Sequence, residues 1–244
     1  MIIKWKKMQI RYIVSFLAKM INVAAYVFMK RKILKLNEMR LYEGFYKKQI
    51  EQHLDKPPKF DDHYGKARDY IVNILESMQP GSNILELGCY LGKRLNWYAE
   101  KYQSFKFTGV DISHETLRLA RHSIVGTTNL NLVIGDFHSM PFKEGSFDLI
   151  FSLASVYHVP YHEIEGIFSN IQRLSRGKVL LIEPFHKVQP FRDKVNLIGS
   201  RDKYSHDYQS LGKNSRLRLL EAVPIRSMER ADSYPLTIFH FEKY

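Results

Sequence analysis

From Asn83 onward the chain alternates between two patterns. Short apolar runs end at an acid or a turn residue: Asn83–Leu87, Lys106–Val110 before Asp111, Leu130–Ile134 before Gly135-Asp136, Phe147–Ser152, and Val179–Glu183 before Pro184. Between them, Arg94–Tyr102, Ser113–His122 and Tyr161–Leu174 read as helices, and Tyr64–Met78 precedes the first run with Ala67, Tyr70, Ile71, Ile74 and Leu75 on one face. Near-continuous apolar runs of this length are strands buried on both faces, and the 3.6-residue spacing belongs to the helices that cover them. Ser113 is placed to cap its helix, with Glu115 in the first turn, where a negative charge suits the helix dipole. Leu236–Phe241 reads as one more strand. The alternation predicts an α/β fold, a doubly wound and mostly parallel sheet, with any ligand bound outside the C-terminal strand ends.

Ahead of Pro57-Pro58 the pattern changes. Ile10–Lys30 contains no Pro or Gly, and its polar residues Arg11, Ser15, Lys19, Asn22, Tyr26 and Lys30 fall at gaps of 4, 4, 3, 4 and 4. That is one narrow polar stripe on an otherwise apolar helix. Residues 1–56 are therefore expected as a basic amphipathic helical extension, and 57–244 as the α/β domain.

Charge sharpens this division. Residues 1–50 hold twelve Lys/Arg against Glu38 and Glu43, so +10 of the formal net charge of +12 sits there. Such asymmetry implies a polyanionic partner, an anionic membrane surface or nucleic acid. Trp5 and the bases at both ends (Lys4, Lys6, Lys7; Lys30, Arg31, Lys32) favour a helix lying in the membrane interface through residues 1–35, with nucleic acid the less favoured partner. Tyr12–Met29 is long enough to span a bilayer. However, Lys19 near its centre costs about 3 kcal/mol against roughly −2.5 to −5 kcal/mol from the apolar residues, and Asn22 and Arg11 offset the remainder. Packing on the protein body or on a second copy in a homo-oligomer is the remaining alternative. No small-residue cleavage site follows, so a secretory leader is not expected. Cys89 is the sole cysteine, which excludes an internal disulfide and fits a cytoplasmic setting. No cluster with metal-ligand spacing is present, and no metal is expected.

Candidate chemistry gathers at the strand ends. In Ile84-Leu85-Glu86-Leu87-Gly88-Cys89-Tyr90-Leu91-Gly92 a buried strand turns through glycines into a helix N-terminus, where a nucleotide-like ligand can approach the backbone. Glu86 would repel a pyrophosphate and suits a ligand carrying positive charge. A dinucleotide fingerprint fails, because Tyr90 and Lys93 stand where it needs glycine. Asp111 is placed to accept from two ribose hydroxyls. Asp136 can accept from an exocyclic amine such as adenine N6, with Phe137 offering a flat face beside it.

In these motifs the chain resembles the class I S-adenosylmethionine-dependent methyltransferases, in particular their broad small-molecule group. The resemblance covers Ser82 to Pro184 and rests on I-L-E-L-G-C-x-x-G at Ile84–Gly92, G-V-D-I-S at Gly109–Ser113, G-D-x-x-x-x-P-F at Gly135–Phe142, F-D-L-I-x-S at Phe147–Ser152 and V-x-H-V at Val156–Val159. It implies a seven-stranded Rossmann-like sheet and S-adenosylmethionine as cofactor. Glu86, Gly88 and Gly92 would frame the methionine part, Asp111 the ribose, Ile112, Asp136 and Phe137 the adenine, and Ser152 would lie near the sulfonium. Tyr90 departs from the family's usual glycine.

Methyl transfer is an in-line displacement in which the protein mainly aligns the partners and excludes water. If the acceptor must lose a proton, His158 is the first candidate base, with Tyr157 lining the acceptor pocket and Glu183 and His186 as further candidates. His63 and Tyr64 could close over the cofactor, and residues 185–220 read as an acceptor-site insertion. Ser152-Leu153-Ala154-Ser155 lacks the [D/N]-P-P-[Y/F] of amide and adenine-N6 methylation, and Cys89 lies in the cofactor loop rather than where a nucleophile for cytosine C5 would be needed. The expectation is methyl transfer to a small-molecule, lipid or lipid-linked saccharide acceptor at the cytoplasmic membrane face. The alternatives are an inactive partner subunit spoiled by Tyr90, and an RNA methyltransferase using the basic arm.

Overall fold

The computed structural model describes residues 62–185, 204–225 and 236–244, together with Ile50. The expected N-terminal helix, Asn37–Leu54 other than Ile50, and His186 lie outside the described residues, as does the side chain of His63. The chain divides into two compact units, residues 1–51 and 52–244; the elements below belong to the second.

In chain order they are α1 (Asp62–Glu76), β1 (Asn83–Leu87), α2 (Lys93–Lys101), β2 (Lys106–Asp111), α3 (His114–Ser123), β3 (Leu130–Ile134), β4 (Phe147–Leu153), a 3₁₀ turn (Val156–His158), α4 (Ile164–Leu174), β5 (Ser175–Pro184), α5 (Tyr208–Asn214), β6 (Leu217–Ile225) and β7 (Leu236–Lys243). The seven strands form one sheet in the order β3-β2-β1-β4-β5-β7-β6. The first five run parallel, and β7 is antiparallel to both neighbours. The chain winds outward through β2 and β3, then returns to place β4 beside β1. This reversal opens a crevice at the C-terminal ends of β1 and β4.

Alternating strand residues feed two cores, as a sheet buried on both faces requires. Ile84, Phe107, Leu149, Phe151 and Leu180 pack with Ala67, Ile71 and Leu75 of α1 and Leu95, Tyr98 and Ala99 of α2. Leu85, Leu87, Val110, Ile150 and Leu181 pack with Ile164, Ile167, Phe168 and Ile171 of α4 and with Tyr208 and Leu211 of α5. Leu117 and Ala120 of α3 close a smaller cluster with Cys89 and Leu132. Ser113 caps α3 as expected, accepting from the Thr116 amide at 3.2 Å.

Two sequence motifs turn out to differ in kind from their neighbours. Asp148, in the F-D pair at the start of β4, forms a two-pronged ion pair with Arg176 of β5, both contacts at 2.6 Å. It also accepts from the Asn83 amide at 2.7 Å. It therefore ties β1, β4 and β5 together at the ends away from the crevice, and Arg176 holds its carboxyl below the usual range. The second is β6, an edge strand with most of its residues exposed or half-buried, whose apolar residues are interrupted by Arg218, Glu221 and Pro224.

Candidate active site

Three residues of the first βα turn take left-handed backbone: Gly88 (φ 72°), Tyr90 (φ 51°) and Gly92 (φ 64°). Such angles are open to glycine and costly for a side-chain-bearing residue. A methyl group on Gly88 would lie 1.8 Å from the Ser155 hydroxyl oxygen and 3.6 Å from Cζ of Phe137. The β1 turn thus packs face to face against the loop after β4, and Phe137 stands beside it. Gly92 is the residue from which α2 starts.

Glu86 is fully buried. Its Oε1 accepts a long hydrogen bond, 3.4 Å, from the Arg94 guanidinium, while its Oε2 has no hydrogen-bond partner among the described residues. Burial pushes its pKa up, and Arg94 pulls it part of the way back. Arg94 in turn lies over the Tyr64 ring at 5.8 Å. Tyr64, Arg68, Arg94, Tyr98 and Leu153 line a small recess at this corner. The sequence reading did not single out Arg94, although it stands eight residues after Glu86 and only one into α2.

At the next strand end, Asp111 accepts from the amides of Tyr90 (2.9 Å) and Ser113 (2.9 Å). Burial raises its pKa against the pull of these amides. The Ile112 amide pulls in the same direction as those two, and a carboxylate, with about four lone-pair sites, keeps acceptor capacity beyond these donors. Ile112 beside it leaves 49% of its surface in solvent, an apolar face suited to an aromatic base. The Tyr90 phenol is raised to about 12 by burial and by the Asp111 carboxylate. Beyond β3, Asp136 Oδ1 accepts from the His138 amide at 3.0 Å and contacts its ring Nδ1 at 2.6 Å.

The loop after β4 is held from below by a carboxylate. Glu183, fully buried on β5, accepts from the Ser152 hydroxyl at 2.5 Å and from the amides of Ser155, Val156 and Tyr157 at 3.1–3.3 Å. Burial raises its pKa to about 7 in spite of these donors. Ser152 is also fully buried, with its hydroxyl committed to Glu183, so it acts on this loop from beneath. Glu183 fixes the 3₁₀ turn that carries Tyr157 and His158, whose rings lie 4.1 Å apart and inclined at 34°. Further out, the Tyr204 amide donates to the Tyr157 carbonyl at 2.7 Å, and the Tyr161 hydroxyl to the Ser205 carbonyl at 2.9 Å. His206 is buried among Tyr161, Tyr204 and Tyr208. Burial lowers its pKa to about 4. The Val159 carbonyl pulls the other way, although neither ring nitrogen makes a hydrogen bond of good geometry. His206 and Tyr208 fall inside the stretch 185–220 expected as an acceptor-site insertion, where nothing local in the sequence marks them as buried.

Comparison with known proteins decides what this crevice belongs to. Residues 84–177, from β1 to the start of β5, match the family model described as a methyltransferase domain. The chain is 27% identical over 172 residues to malonyl-[acyl-carrier protein] O-methyltransferase 2 of Ilyobacter polytropus, covering 68% of this chain and 65% of that protein. It is 27% identical over 141 residues to 24-methylenesterol C-methyltransferase 3 of Arabidopsis thaliana, covering 56% and 38%.

Residues 84–177 form a methyltransferase domain of the class I S-adenosylmethionine-dependent kind.

The chain spans under two thirds of the length of either relative. A solved methyltransferase from Methanosarcina mazei shares the fold, with a TM-score of 0.57 at 18% identity, covering 70% of this chain and 96% of that one. The family's cofactor fits the residues present. The buried Oε2 of Glu86, without a partner among the described residues, suits an ammonium group, Asp111 suits a diol, and the half-exposed Ile112 suits a base.

Proposed function

We propose that this methyltransferase moves a methyl group from S-adenosylmethionine to a small, largely apolar acceptor, a lipid, isoprenoid or lipid-linked saccharide, and that residues 1–35 hold it at an anionic, cytoplasmic membrane face. The observation that carries the reading is the set of three acids near successive strand ends, with the buried Oε2 of Glu86 lacking a hydrogen-bond partner among the described residues. The relatives' names, one citing a sterol and the other an acyl carrier, support an apolar or carrier-borne acceptor. The nine Lys/Arg and no acids of residues 1–35 support the membrane face.

S-adenosylmethionine supplies a methyl group already activated by positively charged sulfur. In this reading Glu86 holds the cationic end, and Gly88 and Gly92 shape the turn around it. Asp111 holds the ribose hydroxyls, while Ile112, Asp136 and Phe137 enclose the adenine. Glu183 and Ser152 fix the loop that closes the crevice against water. His158, steadied by the Tyr157 ring, takes a proton from the acceptor at an imidazole nitrogen. Transfer is tested with labelled S-adenosylmethionine against fractionated lipid and polar extracts. Label is expected in the lipid fraction; label confined to the polar fraction would sink the lipid acceptor. His158→Ala should lower transfer at least about 100-fold if the acceptor needs a base, with affinity for S-adenosylhomocysteine unchanged by calorimetry.

The strained Tyr90 favours one second reading, a subunit of methyltransferase fold without activity. Failure of the wild-type chain to bind S-adenosylhomocysteine would select it.

A further inference from the structure

His138 stands between two carboxylates. Its Nδ1 lies 2.6 Å from Asp136 Oδ1, and its Nε2 lies 2.9 Å from Glu163 Oε2. A neutral imidazole has one N–H and can donate only once. Two such contacts together call for a ring that donates at both nitrogens, or for a proton on one of the carboxyls. In either case a proton-bearing bridge joins Asp136, at the end of β3, to Glu163, the residue from which α4 starts. Glu163 also contacts His162 Nε2 at 3.3 Å through its other oxygen. The backbone on either side of the ring is tied to the same helix: the Asn170 side-chain amide donates to the carbonyls of Phe137 (3.1 Å) and His138 (2.8 Å).

Both His138 contacts to Asp136, from its amide and from its ring, fall on Oδ1. Fixing that atom sets the plane of the carboxylate and hence where Oδ2 lies. We propose that His138 is a positioning residue for the cofactor's base: bridging Asp136 to Glu163, it holds the Asp136 carboxylate in the orientation that accepts from the adenine amine. The proposal rests on the reading of Asp136 given above. It adds a selectivity device built from a third and a fourth residue, His138 and Glu163, that touch the protein rather than the ligand.

The test compares two ligands by calorimetry: S-adenosylhomocysteine, and its inosine analogue, in which a carbonyl oxygen replaces the amine. The wild-type chain is expected to favour the amine form. In His138→Ala that preference should shrink about two- to fivefold, the upper part of the range for a partly exposed ion pair, with little change in affinity for the inosine form. His138→Arg, which can donate to two carboxylates at once, should keep most of the preference. A general loosening of the loop would weaken both ligands equally, and melting curves show whether each variant is folded. An unchanged preference in a folded His138→Ala would overturn the proposal, and loss in the Arg variant as well would overturn the two-carboxylate bridge. A wild-type chain that binds neither ligand would bring down the cofactor reading itself, and the proposal with it.

Discussion

Tyr90 carries a side chain at φ 51°, where the family's usual glycine is at no disadvantage. Left-handed backbone costs a side-chain-bearing residue about 1–2 kcal/mol. Tyr90→Gly removes that strain and forfeits the ring's packing, together with about 0.5–1 kcal/mol of chain entropy. Its melting temperature should therefore move little, and cofactor affinity should hold or tighten. A loss of binding would mean that the phenol beside Asp111 is part of the site. Gly88 gives the opposite case. Gly88→Ala drives a methyl group to 1.8 Å from the Ser155 hydroxyl oxygen, and to 2.5 Å from its Cβ, at φ 72°. Overpacking of about 1–3 kcal/mol adds to the backbone strain. Ser155→Gly in the same chain should recover only the overpacking part, as read by denaturant melts. The glycines were legible in the sequence as a turn. Ser155 was not, because only the β1–β4 crossing brings it there.

Among the elements, the loop after β4 depends on one buried acid. At a strand end near His158, Glu183 is a candidate base on sequence grounds alone. Its five contacts to Ser152 and to three successive amides instead make it the anchor of the turn bearing His158. Its pKa rises from 4.5 to about 7 on folding, so the folded state holds the proton more tightly than the unfolded one. The stability this contributes is fully present below pH 4.5 and is lost as pH rises through 7; at 1.36 kcal/mol per unit it is about 3 kcal/mol. His206, lowered to about 4, acts in the opposite sense, losing stability as pH falls. Comparison with Glu183→Gln isolates the acid, because the amide has no proton to lose. The stability gap between wild type and variant should narrow from acid to neutral pH in urea melts, and a constant gap would mean that Glu183 is ionised throughout. The strands beneath this loop were legible because burial on both faces leaves an unbroken apolar run. β5 was seen only from Val179, since its first residues, Ser175 to Lys178, are polar where Arg176 reaches back to Asp148. The edge strand β6, whose apolar residues are broken by Arg218 and Glu221, and the short helix α5 gave no unbroken run.

For the whole molecule, the net charge divides the chain more sharply than hydrophobicity does. Residues 1–50 hold +10 of the +12, so the remainder of the chain is nearly neutral and has little reason to seek a polyanion. No helix among the described residues is long and apolar enough to cross a membrane. The proposed attachment rests on the N-terminal segment, whose nine bases in residues 1–35 would each be worth about 1 kcal/mol close to an anionic surface. The full chain should float with vesicles containing phosphatidylserine, and a chain lacking residues 1–35 should not. Salt decides between the two ways a basic arm can bind. Bases alone would release at about 1 M salt, where the Debye length falls to roughly 3 Å. An in-plane helix that also buries Phe16, Leu17, Met20 and Ile21 keeps its apolar contribution, so part of the flotation should survive. Flotation unchanged by truncation would reject the arm as the anchor, and complete release by salt would leave it a charged tether without an embedded helix.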